Sequence, residues 1–140
     1  ALVAADEVLL PIQCEYYALE GVTQLMRTIE AVRHAMNKEL RLGSILMTMF
    51  DGRTRLSTQV DEEVRTHFAR ETMSTRIPRS VRVSEAPSYS RSVLTYEPTS
   101  AGAVAYREAA AEFAKRHACD EHSTNTSGVK HPDASDTKKG

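Results

Sequence analysis

A repeated change of hydrophobic period constrains this chain more than any other feature of it. Residues 7–12 are a short, nearly continuous apolar run around Pro11, closed by polar Gln13, as expected of a strand buried on both faces. From Ala18 the period lengthens: Leu19, Val22, Met26, Ile29, Val32 and Met36 fall three or four apart, one stripe of an amphipathic helix ending near Asn37. Residues 41–50, rich in Leu42, Ile45, Leu46, Met47 and Met49, give a second strand. Beyond a loop at 51–56, Thr58 and Asp61 stand at capping-box spacing, and Val60, Val64 and Phe68 line a second helix. Residues 73–77 read as a third strand and 93–95 as a further short one. Ser100 then caps a helix over 101–116 that buries Val104, Tyr106 and Phe113. Strands alternating with helices are the mark of a parallel sheet covered on both faces, in which ligands sit beyond the carboxyl ends of the strands.

The 140 residues fit one domain, and a hydrophobic content of 41% allows a modest core. The net charge of −1 gives no global reason to bind nucleic acid or membrane, so an electrostatic site must come from local clustering. Clustering is present: loops after the second and third strands hold Arg53, Arg55, Arg76, Arg79, Arg82 and Arg91 against Glu85. The acids Asp61, Glu62 and Glu63 fall on the helix between them and read as a solvated face. Cys14 and Cys119 make neither a disulfide framework nor a metal-ligand spacing, which fits a reduced cytoplasmic setting, and Cys14 reads as a small core hydrophobe. His34 and His67 fall on polar helix faces, while His117, His122 and His131 have no zinc-site spacing. No apolar run approaches the ~18 residues of a membrane span, and Ala1 does not begin an export signal.

Three segments carry candidate chemistry. Around Pro78 and Pro87 the residue before each proline is pushed out of the helical region, so residues 77–88 read as a long, rigid loop bearing Arg79 and Arg82. Asp51-Gly52-Arg53-Thr54, taken alone, is a strand-to-helix turn. Glu15, with Tyr16 and Tyr17, opens the first helix, where the helix dipole favours an acid.

Pro11-Ile12-Gln13-Cys14-Glu15-Tyr16-Tyr17-Ala18-Leu19-Glu20-Gly21, Thr48-Met49-Phe50-Asp51-Gly52-Arg53-Thr54 and Ile77-Pro78-Arg79-Ser80-Val81-Arg82-Val83-Ser84-Glu85-Ala86-Pro87-Ser88 stand in a particular order and spacing. In this they resemble the ParA/Soj chromosome- and plasmid-partitioning ATPases, and residues 1–116 look like the C-terminal half of that family. The resemblance implies an α/β fold: the C-terminal part of a parallel-sheet P-loop NTPase-like domain with flanking helices. It implies that Met49, Pro78, Arg79 and Ser80 wall the adenine base, largely through backbone atoms. It also implies that Arg53 and Arg82 face DNA bound without sequence preference, and that Glu15 lies near a dimer interface that sandwiches the nucleotide. Many relatives carry Asn where Ser80 stands, and a hydroxyl offers one donor against an amide's two.

A phosphate-gripping loop needs crowded glycines followed by a lysine and a hydroxyl residue. Here Gly21, Gly43, Gly52, Gly102, Gly128 and Gly140 are scattered singly. In the family, the deviant P-loop, the metal-holding aspartates and the switch segments precede the region matched. Residues 1–116 are therefore expected to be a half-domain, and 117–140, which have almost no apolar side chains, a disordered polar tail. The expected longer protein binds ATP and Mg2+, dimerises around the nucleotide, binds non-specific DNA and is stimulated by a ParB-like partner. It would work in the cytoplasm, on the nucleoid. These residues alone should neither hold ATP tightly nor hydrolyse it, and no catalytic residue or metal ligand is assigned to them. A MinD-like membrane ATPase is a second reading, but it attaches through an amphipathic helix with bulky apolar residues beside lysines, which 117–140 lack. A third is a non-enzymatic remnant that competes for DNA or for the dimer surface.

Overall fold

A computed structural model describes residues 1–124. Three parallel strands, β1 (Glu7–Gln13), β2 (Arg41–Phe50) and β3 (Thr72–Pro78), lie in that order across one sheet. Helix α1 (Ala18–Ala35) links the first pair and α2 (Arg55–His67) the second. After β3 come α3 (Val81–Glu85), a 3₁₀ turn (Ala86–Tyr89), α4 (Val93–Tyr96) and the long α5 (Ala101–Thr124).

Alternation along β2 divides the core. Ile45 and Met47 join Ile12, Cys14, Val22, Val60 and Val64 in the layer beneath α1 and α2, whereas Leu46 joins Met73, Ile77, Ala105 and Ala109 beneath α5. Each large side chain buried in these layers contributes roughly 1.5–3 kcal/mol by leaving water. Helix α5 meets the sheet through Ala105 and Ala109, with Tyr106 and Phe113 packed beside them, while its Ala103 packs on Ala86 and Val93. Val104, expected inside, is instead 42% exposed. Gly102 is required in the first turn, because a Cβ there would run into Val83 of α3.

Several sequence expectations are corrected. Strand β1 is an edge among the described residues, with Leu9 and Pro11 exposed and only Ile12 buried, so it is not covered on both faces. The helical stripe ends before Met36, which is exposed. Glu15 precedes α1 and forms a turn through its carbonyl, which accepts the Ala18 N–H. Helix α2 starts earlier than expected: Thr54 is its cap, its hydroxyl accepting the Ser57 N–H at 3.4 Å, so Thr58 and Asp61 form no capping box. Residues 93–95 are helical rather than extended, and most of 77–88 is not an open loop but the short helix α3 and the 3₁₀ turn. Proline explains the latter, since Pro87 in the first turn of the 3₁₀ segment has no N–H to satisfy there. Helix α5 runs past Arg116 to Thr124, and His117 packs on Phe113 while its Nε2 lies 2.9 Å from the Glu7 carboxylate. The rest of the expected tail, 125–140, lies outside the described residues.

Candidate functional site

The carboxyl ends of β2 and β3 come together through their backbones. The strands are out of simple register here: between the pairs Met47–Arg76 and Phe50–Pro78, β2 inserts Thr48 and Met49 against the single residue Ile77. Met49 absorbs the extra residue by turning left-handed, with φ of 54°. Such a conformation is costly for a side chain with a Cβ and marks a position that the surroundings over-determine. Just beyond it the Arg79 N–H donates to the Phe50 carbonyl at 2.9 Å, tying the exits of both strands. Met49, Pro78, Arg79 and Ser80 thus lie on two adjoining strand ends. Met49, Pro78 and Ser80 are half-buried and Arg79 is exposed.

Asp51 organises the next turn. Its carboxylate accepts the Arg53 backbone N–H at 3.1 Å and Arg53 Nε at 3.2 Å, and its carbonyl accepts both the N–H and the hydroxyl of Thr54. Those bonds, the backbone one first, hold the Asp51 carboxyl below its ordinary range. The Arg53 side chain nevertheless remains 92% exposed at the head of α2, whose first turn carries no acid and whose dipole favours an anion. Arg82 lies on α3, its Nη1 3.2 Å from Glu85, whose hydrogen bond and charge act on it most, with Glu97 and Tyr96 also acting on it. Both arginines therefore have an acid beside them, and exposed pairs of this kind contribute little to stability. Arg79 acts on Asp51 and so belongs with Arg53, whereas no hydrogen bond or ion pair joins Arg82 to either.

Arg76, read from sequence as part of the loop cluster, is on β3 and reaches the buried Asp61 while its own side chain stays 38% exposed. With Arg65 it encloses Asp61, which is 3% exposed and not on a solvated face. Burial pushes the Asp61 carboxyl up, but hydrogen bonds from Arg76 and Arg65 outweigh this and hold it below the usual range. The run Asp61-Glu62-Glu63 concealed this, since only its first member lies on the Val60–Val64 side of α2. The three-residue step from Ser57 to Val60 and the one from Asp61 to Val64 were the available signal. Cys14 is buried as expected, and burial with the nearby Asp61 charge pushes its thiol up to about 11.

A family model described as an AAA domain matches residues 1–42. The chain is 51% identical over 116 residues to the chromosome-partitioning ATPase Soj of Thermus thermophilus, covering 83% of this chain and 47% of that protein. It is 50% identical to the chromosome partitioning protein ParA of Caulobacter vibrioides, covering 83% and 43%. It is 47% identical over 114 residues to the sporulation initiation inhibitor protein Soj of Bacillus subtilis, covering 81% and 45%. Among solved structures, cobyrinic acid a,c-diamide synthase from Mycobacterium smegmatis superposes with a TM-score of 0.57 at 34% identity, over 76% of this chain and 37% of that one. The same enzyme with bound ADP and magnesium gives 0.56. The chain spans less than half the length of each of these relatives. Its parallel sheet with flanking helices and its sequence place it together with them: the chain belongs to the ParA/Soj family.

Proposed function

We propose that this chain supplies the base-binding wall and a DNA-facing surface to an ATP-dependent protein that partitions chromosomal or plasmid DNA. The observation that carries this reading is the junction of the two strand ends, where left-handed Met49 and the Arg79–Phe50 bond set backbone atoms of residues 49 and 78–80 along one edge. Backbone donors and acceptors held on rigid strand ends can read an adenine edge, and this architecture places ligands there. The identity to partitioning ATPases supports the reading, as does the related enzyme solved with ADP and magnesium.

The residues present fit the base end of a nucleotide and not its phosphates, since no glycine-rich run followed by lysine occurs in the sequence. Magnesium and ATP, when bound to the longer protein, supply the chemistry of phosphoryl transfer. The residues here bind the base and orient it. Arg53 and Arg82 are read as phosphate contacts of non-specific DNA, with a nucleotide-bridged second copy and a ParB-like stimulator as partners and the nucleoid as location. Among the described residues no helix is long and apolar enough to cross a membrane.

The experiment is a titration with labelled ATP and Mg2+ of both the 140-residue chain and the protein extended by the segment that carries a phosphate loop. The extended protein should bind at micromolar concentration or tighter and turn ATP over; the chain alone should do neither. Tight binding or turnover by the chain alone would refute this division of labour.

A further inference from the structure

Asp61 is a buried charge that touches neither the proposed base wall nor the DNA-facing turn. Its Oδ2 accepts from Arg76 Nε and Nη2 at 2.9 and 2.6 Å and from Arg65 Nε at 3.0 Å. Its Oδ1 is buried with no hydrogen-bond partner among the described residues. Desolvating such an ion group is expensive, and well-packed apolar side chains in its place are often as stable or more so. Stability is therefore a poor account of an acid set between Val60 and Val64.

The geometry offers a better one. Gripped twice by one carboxylate oxygen, the Arg76 guanidinium lies with its Cζ 5.3 Å from the centroid of the Phe50 ring. Phe50 closes β2 immediately after Met49, takes the Arg79 N–H on its carbonyl, and has its ring 3.4 Å from where a Cβ on Gly52 would stand. One residue thus adjoins the left-handed step, the second strand end and the turn that presents Arg53.

We propose that Asp61 is a positioning residue for adenine recognition: acting through Arg76 and the Phe50 ring, it sets residues 49–53 and 78–80 at the spacing the base requires. This rests on the nucleotide reading given above. The ligand class is an adenine nucleotide, and the property governed is base selectivity rather than phosphate binding.

The test uses the intact protein. Affinities for ATP, GTP and inorganic tripolyphosphate, each with Mg2+, would be measured for the wild type, Asp61→Asn, Arg76→Lys and the double variant. Arg76→Lys keeps a charge for Asp61 but removes the planar group from Phe50, which makes it the variant that remains informative if Asp61→Asn does not fold. Each single variant should lower the ATP-over-GTP preference about tenfold, and the double should lose no more than either single, because residues acting as one unit are not additive. Tripolyphosphate affinity should not change, and amide exchange at Arg79 should quicken while that of Ile45 and Met47 holds. A preference that persists in both single variants, with Arg79 exchange unaltered, overturns the positioning role alone. Equal loss of all three ligands, with exchange of the core amides raised, also overturns it and leaves Asp61 merely structural. A wild type that binds ATP no better than GTP or tripolyphosphate removes the base wall, and the positioning role with it.

Discussion

Ser90 shows what a single residue costs here. It closes the 3₁₀ turn in the left-handed region, with φ of 53° and ψ of 35°, and its N–H reaches the carbonyls of Ala86 and Pro87. The geometry satisfies orphan carbonyls, as helix ends commonly do, but with a Cβ that crowds the backbone. Ser90 is exposed, so its side chain contributes little in return. Ser90→Gly is expected to stabilise the fold by about 1 kcal/mol, the excess strain being larger than the entropy glycine adds to the unfolded chain. Thermal denaturation would register this as a rise of a few degrees; a lowered midpoint would mean that the turn is not strained. Residues whose role follows from their own chemistry were legible in the sequence, and Cys14 is an example, apolar in use and buried. Asp61 was not, because an acid beside Glu62 and Glu63 has the appearance of a surface residue until the β3 arginine opposite it is known.

At the scale of elements, the joint between β3 and α5 depends on one carboxylate. Between the pairs Ile45–Thr72 and Met47–Arg76, β3 carries Met73, Ser74 and Thr75 opposite the single residue Leu46, so its backbone leaves the ladder. Glu112 takes up the released groups, accepting the Ser74 and Thr75 N–H at 2.7 and 2.8 Å, the Thr75 hydroxyl at 2.8 Å and Arg116 Nη2 at 3.0 Å. Burial raises its pKa, but those bonds prevail and lower it from 4.5 to about 2. A depressed folded pKa contributes stability that is complete above the ordinary 4.5 and is lost as pH falls toward about 2. Glu112→Gln should therefore cost about 2 kcal/mol near neutrality, the scale of charge-assisted bonds lost at a partly buried site. In urea titrations its deficit relative to wild type should shrink steadily from pH 5 to about pH 2; a deficit independent of pH would assign the loss to shape instead of charge. Period and order predicted β2 and the helices α1 and α5 from the sequence. Residues 77–88 misled it, because prolines restrict their neighbours without excluding a helical turn between them, and Val81–Glu85 fills that interval. The bulges were invisible, since register is decided by the partner strand.

For the whole molecule, the alternation of strands with helices was enough to give a parallel sheet with its loops at the carboxyl edge, and the segments at 11–21, 48–54 and 77–88 were enough to give the family. Which loops meet was not legible, because contacts such as Arg79 with Phe50 join residues remote in sequence through backbone atoms common to every residue type. The remaining question at this scale is whether Arg53, on the turn before α2, and Arg82, on α3, serve one DNA surface although the structure joins them by no direct contact. Each has a competing local role, Arg53 with Asp51 and Arg82 with Glu85. Exposed pairs of this sort exchange readily with water, so an incoming phosphate can take either guanidinium from its acid. If each arginine neutralises one phosphate, Arg53→Ala and Arg82→Ala in the intact, ATP-bound protein should weaken binding to all DNA sequences alike. Each should also lower the slope of log affinity against log salt by roughly one unit, and the double variant by roughly two. ATP affinity should persist in Arg82→Ala, which lies outside the strand-end junction. Binding would be followed at several salt concentrations on two unrelated duplexes. A double variant with the wild-type slope would return both arginines to their acids and leave the strand-end loops to the nucleotide; a slope changed by Arg53→Ala alone would confine the DNA surface to the head of α2.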